Sequence, residues 1–235
     1  MRSAVILAGG SSSRLGEEKA LLLFGGRPLI CWTAELLCSV ADEIVVVARD
    51  EAHACHLEKA TEDWLSDRIA LTWDSVPGFG PVAGLDAGLR KARGQFAFAT
   101  GCDLPFLNAG VVDRLFELAC CKDCRGEGYE AAVPVQPNGL FEPLHSVYHR
   151  EKMGESCRLA VENGERRIYA PLQQLHFNCV PMELLRPTDP DLLSFFNLNT
   201  REDLERARSL WPKRQAKYRL RHSALESDRR YRPSL

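Results

Sequence analysis

Short apolar runs separated by amphipathic stretches set the rhythm of this chain. Ser3 to Leu7 (SAVIL) and Glu43 to Ala48 (EIVVVA) are rich in β-branched and apolar residues, the pattern of strands buried on both faces. Between them, Pro28 to Val40 spaces its apolar residues as a helix does, with Pro28 near the first turn. Glu51 to Leu65 reads as a charged helix, Ile69 to Trp73 as a short strand, Gly84 to Ala92 as a helix after a Gly/Pro loop, Gln95 to Thr100 as a strand and Gly110 to Cys121 as a helix. Ala131 to Val135, Pro143 to Tyr148 and a late Phe195 to Leu198 read as strands, and Thr200-x-x-Asp203 has the spacing of a capping box at the start of a final helix. This alternation predicts an α/β fold, a mostly parallel sheet with helices on both faces. Such sheets bind ligands at the carboxyl ends of their strands. Gly9-Gly10, Asp74 and Asp103, each just after a predicted strand, are therefore expected to converge on one edge.

The loop after the first strand carries the most chemistry. Leu7-Ala8-Gly9-Gly10 leads into three serines, then Arg14, Gly16 and Lys19. Glycines let a backbone turn tightly and approach a ligand closely, and successive N–H groups in such a turn form an anion-binding nest. Arg14 and Lys19 add two cations, so the loop suits a triphosphate. It is not a Walker A loop, because Ala20 follows Lys19, and Gly9-Gly10 with Gly16 does not make the dinucleotide fingerprint. The plainer alternative is a Gly/Ser turn with solvated charges, in which Arg14 pairs with Glu17 or Glu18; those acids beside a phosphate site are costly unless they point outward. Asp103 follows a strand and is stiffened by Pro105. A carboxylate there can hold Mg²⁺, or can serve as a turn or cap residue. Asp74, before the glycine-rich loop Gly78 to Gly84, can accept hydrogen bonds from the N1–H and N2–H₂ edge of a guanine, or can be a solvated turn residue.

Composition narrows the class. The chain has 235 residues, a hydrophobic fraction of 45% and a formal net charge of −2, an ordinary globular balance with no global sign of nucleic-acid binding. No apolar stretch reaches the length of a membrane span, and the N-terminus lacks the form of a secretory signal, so a cytoplasmic location is expected. Nine cysteines without a regular framework read as reduced thiols; Cys120, Cys121 and Cys124 form the one tight group, either a cysteine-rich helix end or part of a metal site. His53 and His56, one turn apart on a charged helix, read as surface residues. Residues 1–207 are expected to form one domain, and 208–235 a basic, flexible tail, with eight Lys/Arg against two acids between Lys213 and Arg232.

The pattern Leu-Ala-Gly-Gly-x-Ser-x-Arg-x-Gly-x-x-Lys over Leu7 to Lys19 resembles the signature of the molybdenum cofactor guanylyltransferases. Gly80-Pro81-Val82-Ala83-Gly84, Cys102-Asp103-Leu104-Pro105, Gly164-Glu165-Arg166-Arg167 and Asn197-Leu198-Asn199-Thr200 are similar to further elements of that family, and the likeness spans residues 1 to about 207. The resemblance implies a Rossmann-like three-layer sandwich of the nucleotide-diphospho-sugar transferase (glycosyltransferase-A-like) kind. It implies transfer of GMP from GTP to the terminal phosphate of molybdopterin or its metal-loaded form, with release of pyrophosphate. It assigns nucleotide binding to Leu7, Ala8, Gly9, Gly10, Lys19, Asp74 and Asp103, with catalytic roles for Arg14, Lys19 and Asp103 and Mg²⁺ on Asp103. Arg166, Arg167, Asn197 and Asn199 fall to the pterin side, though turn, cap and solvated roles remain open for them. The chain departs from the family at Ala48 and Arg49, where members carry an Asn that contacts GTP. The resemblance also implies molybdoenzyme maturation proteins as partners. Alternatives are a cytidylyl- or 2-phospholactate guanylyl-type transferase, and a non-catalytic cofactor-delivery module.

Overall fold

The structure, a computed structural model, describes residues 1–10, 18–62, 68–74, 76 and 78–212. Arg14, with Ser11 to Ser13, Gly16 and Glu17, lies outside the described residues, as does the chain from 213 onward.

Strand β1 (Arg2–Leu7) leads into a single 3-10 turn (Lys19–Leu21) and a small hairpin, β2 (Leu23–Phe24) and β3 (Arg27–Pro28). Helix α1 (Leu29–Leu37), β4 (Glu43–Ala48), α2 (Glu51–Thr61), β5 (Ile69–Trp73), α3 (Pro81–Lys91) and β6 (Phe96–Gly101) follow. The second half adds α4 (Ala109–Ala119), β7 (Ala131–Val135), β8 (His145–His149), α5 (Arg150–Glu162), the short α6 (Tyr169–Leu172) and β9 (Phe177–Pro181), and a last helix covers 201–212. Seven strands form one sheet in the order β5-β4-β1-β6-β8-β7-β9. All neighbouring pairs are parallel except those of β8, which runs against both β6 and β7.

The period of two along the strands divides their side chains between two cores. Ala4, Ile6, Ile44 and Val46 face α1, α2 and α4, while Val5, Val45 and Val47 face α3 and α5. Each fully buried Val, Leu or Ile contributes about 1.5–3 kcal/mol, so both layers hold the sheet firmly. A third cluster, of Phe24, Leu29, Phe106, Leu198 and Trp211, ties the hairpin to the last helix. That helix runs on to 212 and Trp211 packs in the cluster, so the folded part extends past residue 207, where the sequence places the end of the domain.

Several expected elements shift. The first helix is Leu29–Leu37 rather than 28–40, because Pro28 pairs in the hairpin and the chain beyond Leu37 tightens into a turn. The expected end of α2 at Leu65 lies outside the described residues. Helix α3 begins at Pro81, whose fixed φ suits a first turn, after Gly80 at φ 117°. Phe195 to Leu198 is not a strand. Leu193–Phe195 form a 3-10 turn after the left-handed Leu192, and Leu198 buries its side chain in the third cluster while its N–H binds the carbonyl of Asp103. The capping box is present: the Asp203 N–H donates to Thr200 Oγ1, and Asp203 Oδ2 accepts from the Thr200 N–H.

Candidate active site

The strand order reverses direction between β1 and β6. The chain builds outward from β1 through β4 to β5, then crosses back to lay β6 on the other side of β1. Leu7 pairs with Gly101 at the carboxyl ends of these two strands, and a cleft of about 450 Å³ opens above them. A topological switch point of this kind is where α/β sheets bind ligands. Leu7, Gly9, Gly10, Lys19, Asp74 and Asp103 all line the cleft, so residues far apart in sequence meet there as expected. Ala8 is buried beneath it, its N–H bonded to the Val47 carbonyl.

The floor is bare backbone for steric reasons. A Cβ on Gly9 would lie 3.0 Å from Arg49 Cα, and one on Gly101 would lie 2.6 Å from Asp103 Oδ1. Glycine at 101 thus lets the Asp103 carboxylate fold back over the strand end. Gly80, Pro81 and Gly84 bring the first turn of α3 to the cleft wall, where the helix dipole favours an anion.

Charge is concentrated opposite that helix end. Lys19 Nζ lies 2.9 Å from Asp103 Oδ2 and 2.8 Å from Asn199 Oδ1. Both charged side chains are about one-fifth exposed, so the pair is sheltered yet reachable from the cleft. Asp74 is buried, its N–H bonded to the Ala48 carbonyl and its Oδ1 accepting from the Val76 N–H. Burial, with a smaller contribution from nearby Asp86, pushes its carboxyl above the usual range. Among the described residues Val76 is the one that donates to this carboxylate, and a carboxylate has further lone pairs that a ligand can use.

A family model for the MobA-like NTP transferase domain matches residues 4–176. The chain belongs to this family. It is 36% identical over 206 residues to a protein of Methanosarcina mazei named "Probable molybdenum cofactor guanylyltransferase", covering 87% of this chain and 88% of that one. A protein of the same name from Natronomonas pharaonis is 37% identical over 88% of this chain and 96% of its own. Among solved structures, molybdopterin-guanine dinucleotide biosynthesis protein A from Archaeoglobus fulgidus is 32% identical, with a TM-score of 0.76 over 91% of this chain and 100% of that chain.

The other family-like positions divide. Asn199 joins the cleft through Lys19, whereas Asn197 donates to the Phe195 carbonyl within its own turn. Arg166 stacks over Phe79, 5.5 Å from the ring centre, and its backbone lies against Gly80, at the rim by the start of α3. Arg167 is exposed, its carbonyl accepting from Ala170. All nine cysteines are free. Cys120, Cys121 and Cys124 are exposed, Cys121 Sγ donates to the Glu117 carbonyl, and none of the three belongs to the Asp123, Glu127 and His176 trio, the group with metal-compatible spacing among the described residues.

Sequence reasoning did not assign Arg49, Gly101 or Leu144 to the cleft they line. Arg49 directly follows β4 and Gly101 ends β6, so the strand-end rule that found Asp74 and Asp103 applies to them equally. His53 is a correction: it is buried, not a surface residue. The apolar stripe of α2 holds Ala54, Leu57 and Thr61, and His53 lies on that stripe beside Ala54 and Leu57. No helix of the described residues is long and apolar enough to cross a membrane.

Proposed function

We propose that this nucleotidyltransferase moves GMP from GTP onto the terminal phosphate of molybdopterin, bare or metal-loaded, and releases pyrophosphate. The observation that carries the reading is the meeting of Gly9 and Gly10, Lys19, Asp74 and Asp103 in one cleft beside the start of α3, in a chain whose relatives are named for this activity.

The reaction forms a bond between a phosphate oxygen of the pterin substrate and the α-phosphorus of GTP, and breaks the bond from that phosphorus to the bridging oxygen of the β-phosphate. The attacking oxygen is already anionic, so no side chain has to remove its proton. The protein's task is to align two anions and neutralise charge on the leaving pyrophosphate. The Leu7 to Gly10 backbone lies close enough to grip the nucleotide, and Lys19 offers its ammonium to the departing phosphates. Asp74, a buried acceptor at the cleft wall, suits the donor edge of guanine. Arg14 has the same neutralising role by its place in the motif, and Arg166 at the rim is placed to meet the incoming pterin phosphate.

Asp103 presents a hard, partly exposed oxygen to the cleft, the donor type Mg²⁺ prefers, and such ions take one or two carboxylates with phosphate oxygens completing the shell. The residues therefore fit Mg²⁺, with Asp103 as the protein ligand. When bound, the ion would supply charge neutralisation at the reacting phosphate. Nine free thiols support a reducing, cytoplasmic setting.

Pyrophosphate release from a panel of nucleoside triphosphates, with and without molybdopterin, tests the reading. Release with GTP and molybdopterin together is expected. A preference for CTP overturns the guanylyl assignment. GTP binding without release in the presence of any acceptor favours a cofactor-delivery module instead.

A further inference from the structure

We propose that His53 is a positioning residue of the triphosphate site, which holds the Glu18 carboxylate away from the cleft. The proposal rests on the reading that the cleft takes a nucleoside triphosphate.

Glu18 immediately precedes Lys19, so an acid sits next to the cation that faces the cleft. Left free, its carboxylate would oppose a highly charged anion at close range. The structure shows where that charge goes. Residue 18 is extended (φ −71°, ψ 114°). Lys19 reaches toward Asp103 and Asn199, whereas the Glu18 side chain turns to α2 and bonds through Oε1 to His53 Nε2. The His53 side chain is 1% exposed. Its Nδ1 accepts the Arg49 N–H at 3.0 Å, which leaves Nε2 as the nitrogen that carries hydrogen and donates to Glu18. The backbone of His53 is fixed in turn by Asp50, whose Oδ1 accepts its N–H at 2.7 Å. His56 Nε2, on an exposed side chain, stands 4.0 Å from Glu18 Oε2.

One imidazole thus ties together two edges of the cleft from behind: the end of the phosphate loop at Glu18, and the β4 end at Arg49, which itself lines the cleft. The acid beside the phosphate-binding lysine is what makes this histidine relevant to the ligand.

The test is a charge rescue. His53→Leu fills the same buried space without a donor, and His53→Gln restores a donor. GTP binding by titration calorimetry, with KM and kcat from pyrophosphate release, is measured for the wild type, both single variants, Glu18→Gln and the His53→Leu/Glu18→Gln double variant. His53→Leu is expected to weaken GTP about tenfold in Kd and KM, as loss of a charge-assisted bond does, with kcat within about twofold. His53→Gln and the double variant are each expected to recover most of that loss, because the first restores the donor and the second removes the charge. Wild-type affinity in His53→Leu overturns the proposal. So does a double variant no better than His53→Leu, which traces the loss to packing. If the wild type prefers another triphosphate, the guanylyl reading falls, and the same comparison made with that triphosphate still decides the role of His53. A wild type that binds no triphosphate overturns both.

Discussion

Each end of the central sheet buries a carboxylate near the start or end of β4, and the two are treated in opposite ways. At the amino end, Glu43 accepts from Ser3 Oγ, from the N–H groups of Arg93 and Gly94, and from the Arg93 side chain. Burial alone would raise its carboxyl, but these donors together hold it below the usual range. At the carboxyl end, Asp74 is equally enclosed, accepts one backbone N–H from the described residues, and its carboxyl is pushed up, chiefly by burial. A buried acid whose lone pairs are all used is part of the framework. A buried acid left short of donors is held ready for something that arrives from outside. The Lys19–Asp103 pair at the same end extends the contrast: it is enclosed enough to be strong, yet open to the cleft, so a ligand can redistribute it.

Substitutions at the two ends should therefore separate activity from stability. The largest effect is expected from Asp103→Asn, which should lower turnover by about 10³-fold or more while shifting the thermal midpoint by no more than about 3 °C; pyrophosphate release and calorimetric melting check both. Glu43→Ala should do the reverse. It strips the acceptor from several buried donors and should cost about 3 kcal/mol in urea unfolding, with KM and kcat of the folded enzyme unchanged. Glu43 also fixes a pH dependence. Its folded carboxyl titrates below the unfolded one, so its stabilisation is full above the ordinary glutamate range and is lost as pH falls through the folded value. Glu43→Gln should flatten that acid limb of the melting profile.

Helix α3 links the two ends mechanically. A Cβ on Gly88 would come within 2.4 Å of Val5 Cγ1. Gly88→Ala should therefore cost about 1–3 kcal/mol and raise KM for the nucleotide by lifting the first turn of α3 from the cleft. The smallest effect is expected from Asp74→Asn, which should raise stability at neutral pH by about 0.5–2 kcal/mol, as removal of a strained functional acid does, while weakening nucleotide binding. The folded carboxyl of Asp74 titrates above the unfolded one, so its ionisation destabilises the fold as pH rises through the folded value. The melting curves of variant and wild type should therefore converge below the usual aspartate range. No stabilisation in Asp74→Asn would break the contrast between the two ends.

Much of this arrangement is legible in the sequence because it is local. The runs at β1, β4 and β6 and the residues just after them follow from periodicity and one rule about parallel sheets, and these put Gly9, Asp74 and Asp103 together. What escaped depends on pairing or packing across the fold. Strand β9 carries Asn178 and exposed Cys179 at the sheet edge, where no alternation is imposed from a second neighbour. Helix α5 buries only Met153, Cys157 and Ala160, too narrow a stripe to stand out from its charges. Phe195 to Leu198 has a strand's composition, but Phe196 and Leu198 pack into the aromatic cluster, and the Leu198 N–H binds the Asp103 carbonyl without starting a ladder. Glu18 and His53 meet across 35 residues, and nothing in their spacing announces it.

The one reversed strand, β8, has a consequence for how such an enzyme can diversify. Because β8 runs backward between β6 and β7, the segment joining β7 to β8 turns around on the cleft side, and Leu144 at its end reaches the cavity wall. That connector hangs from a hairpin-like pair outside the β1–β4–β6 frame that forms the rest of the cleft. Insertions there can reshape the far wall while leaving the half that carries Gly9, Lys19 and Asp103 untouched, so the shape of one wall is free to change without rebuilding the other.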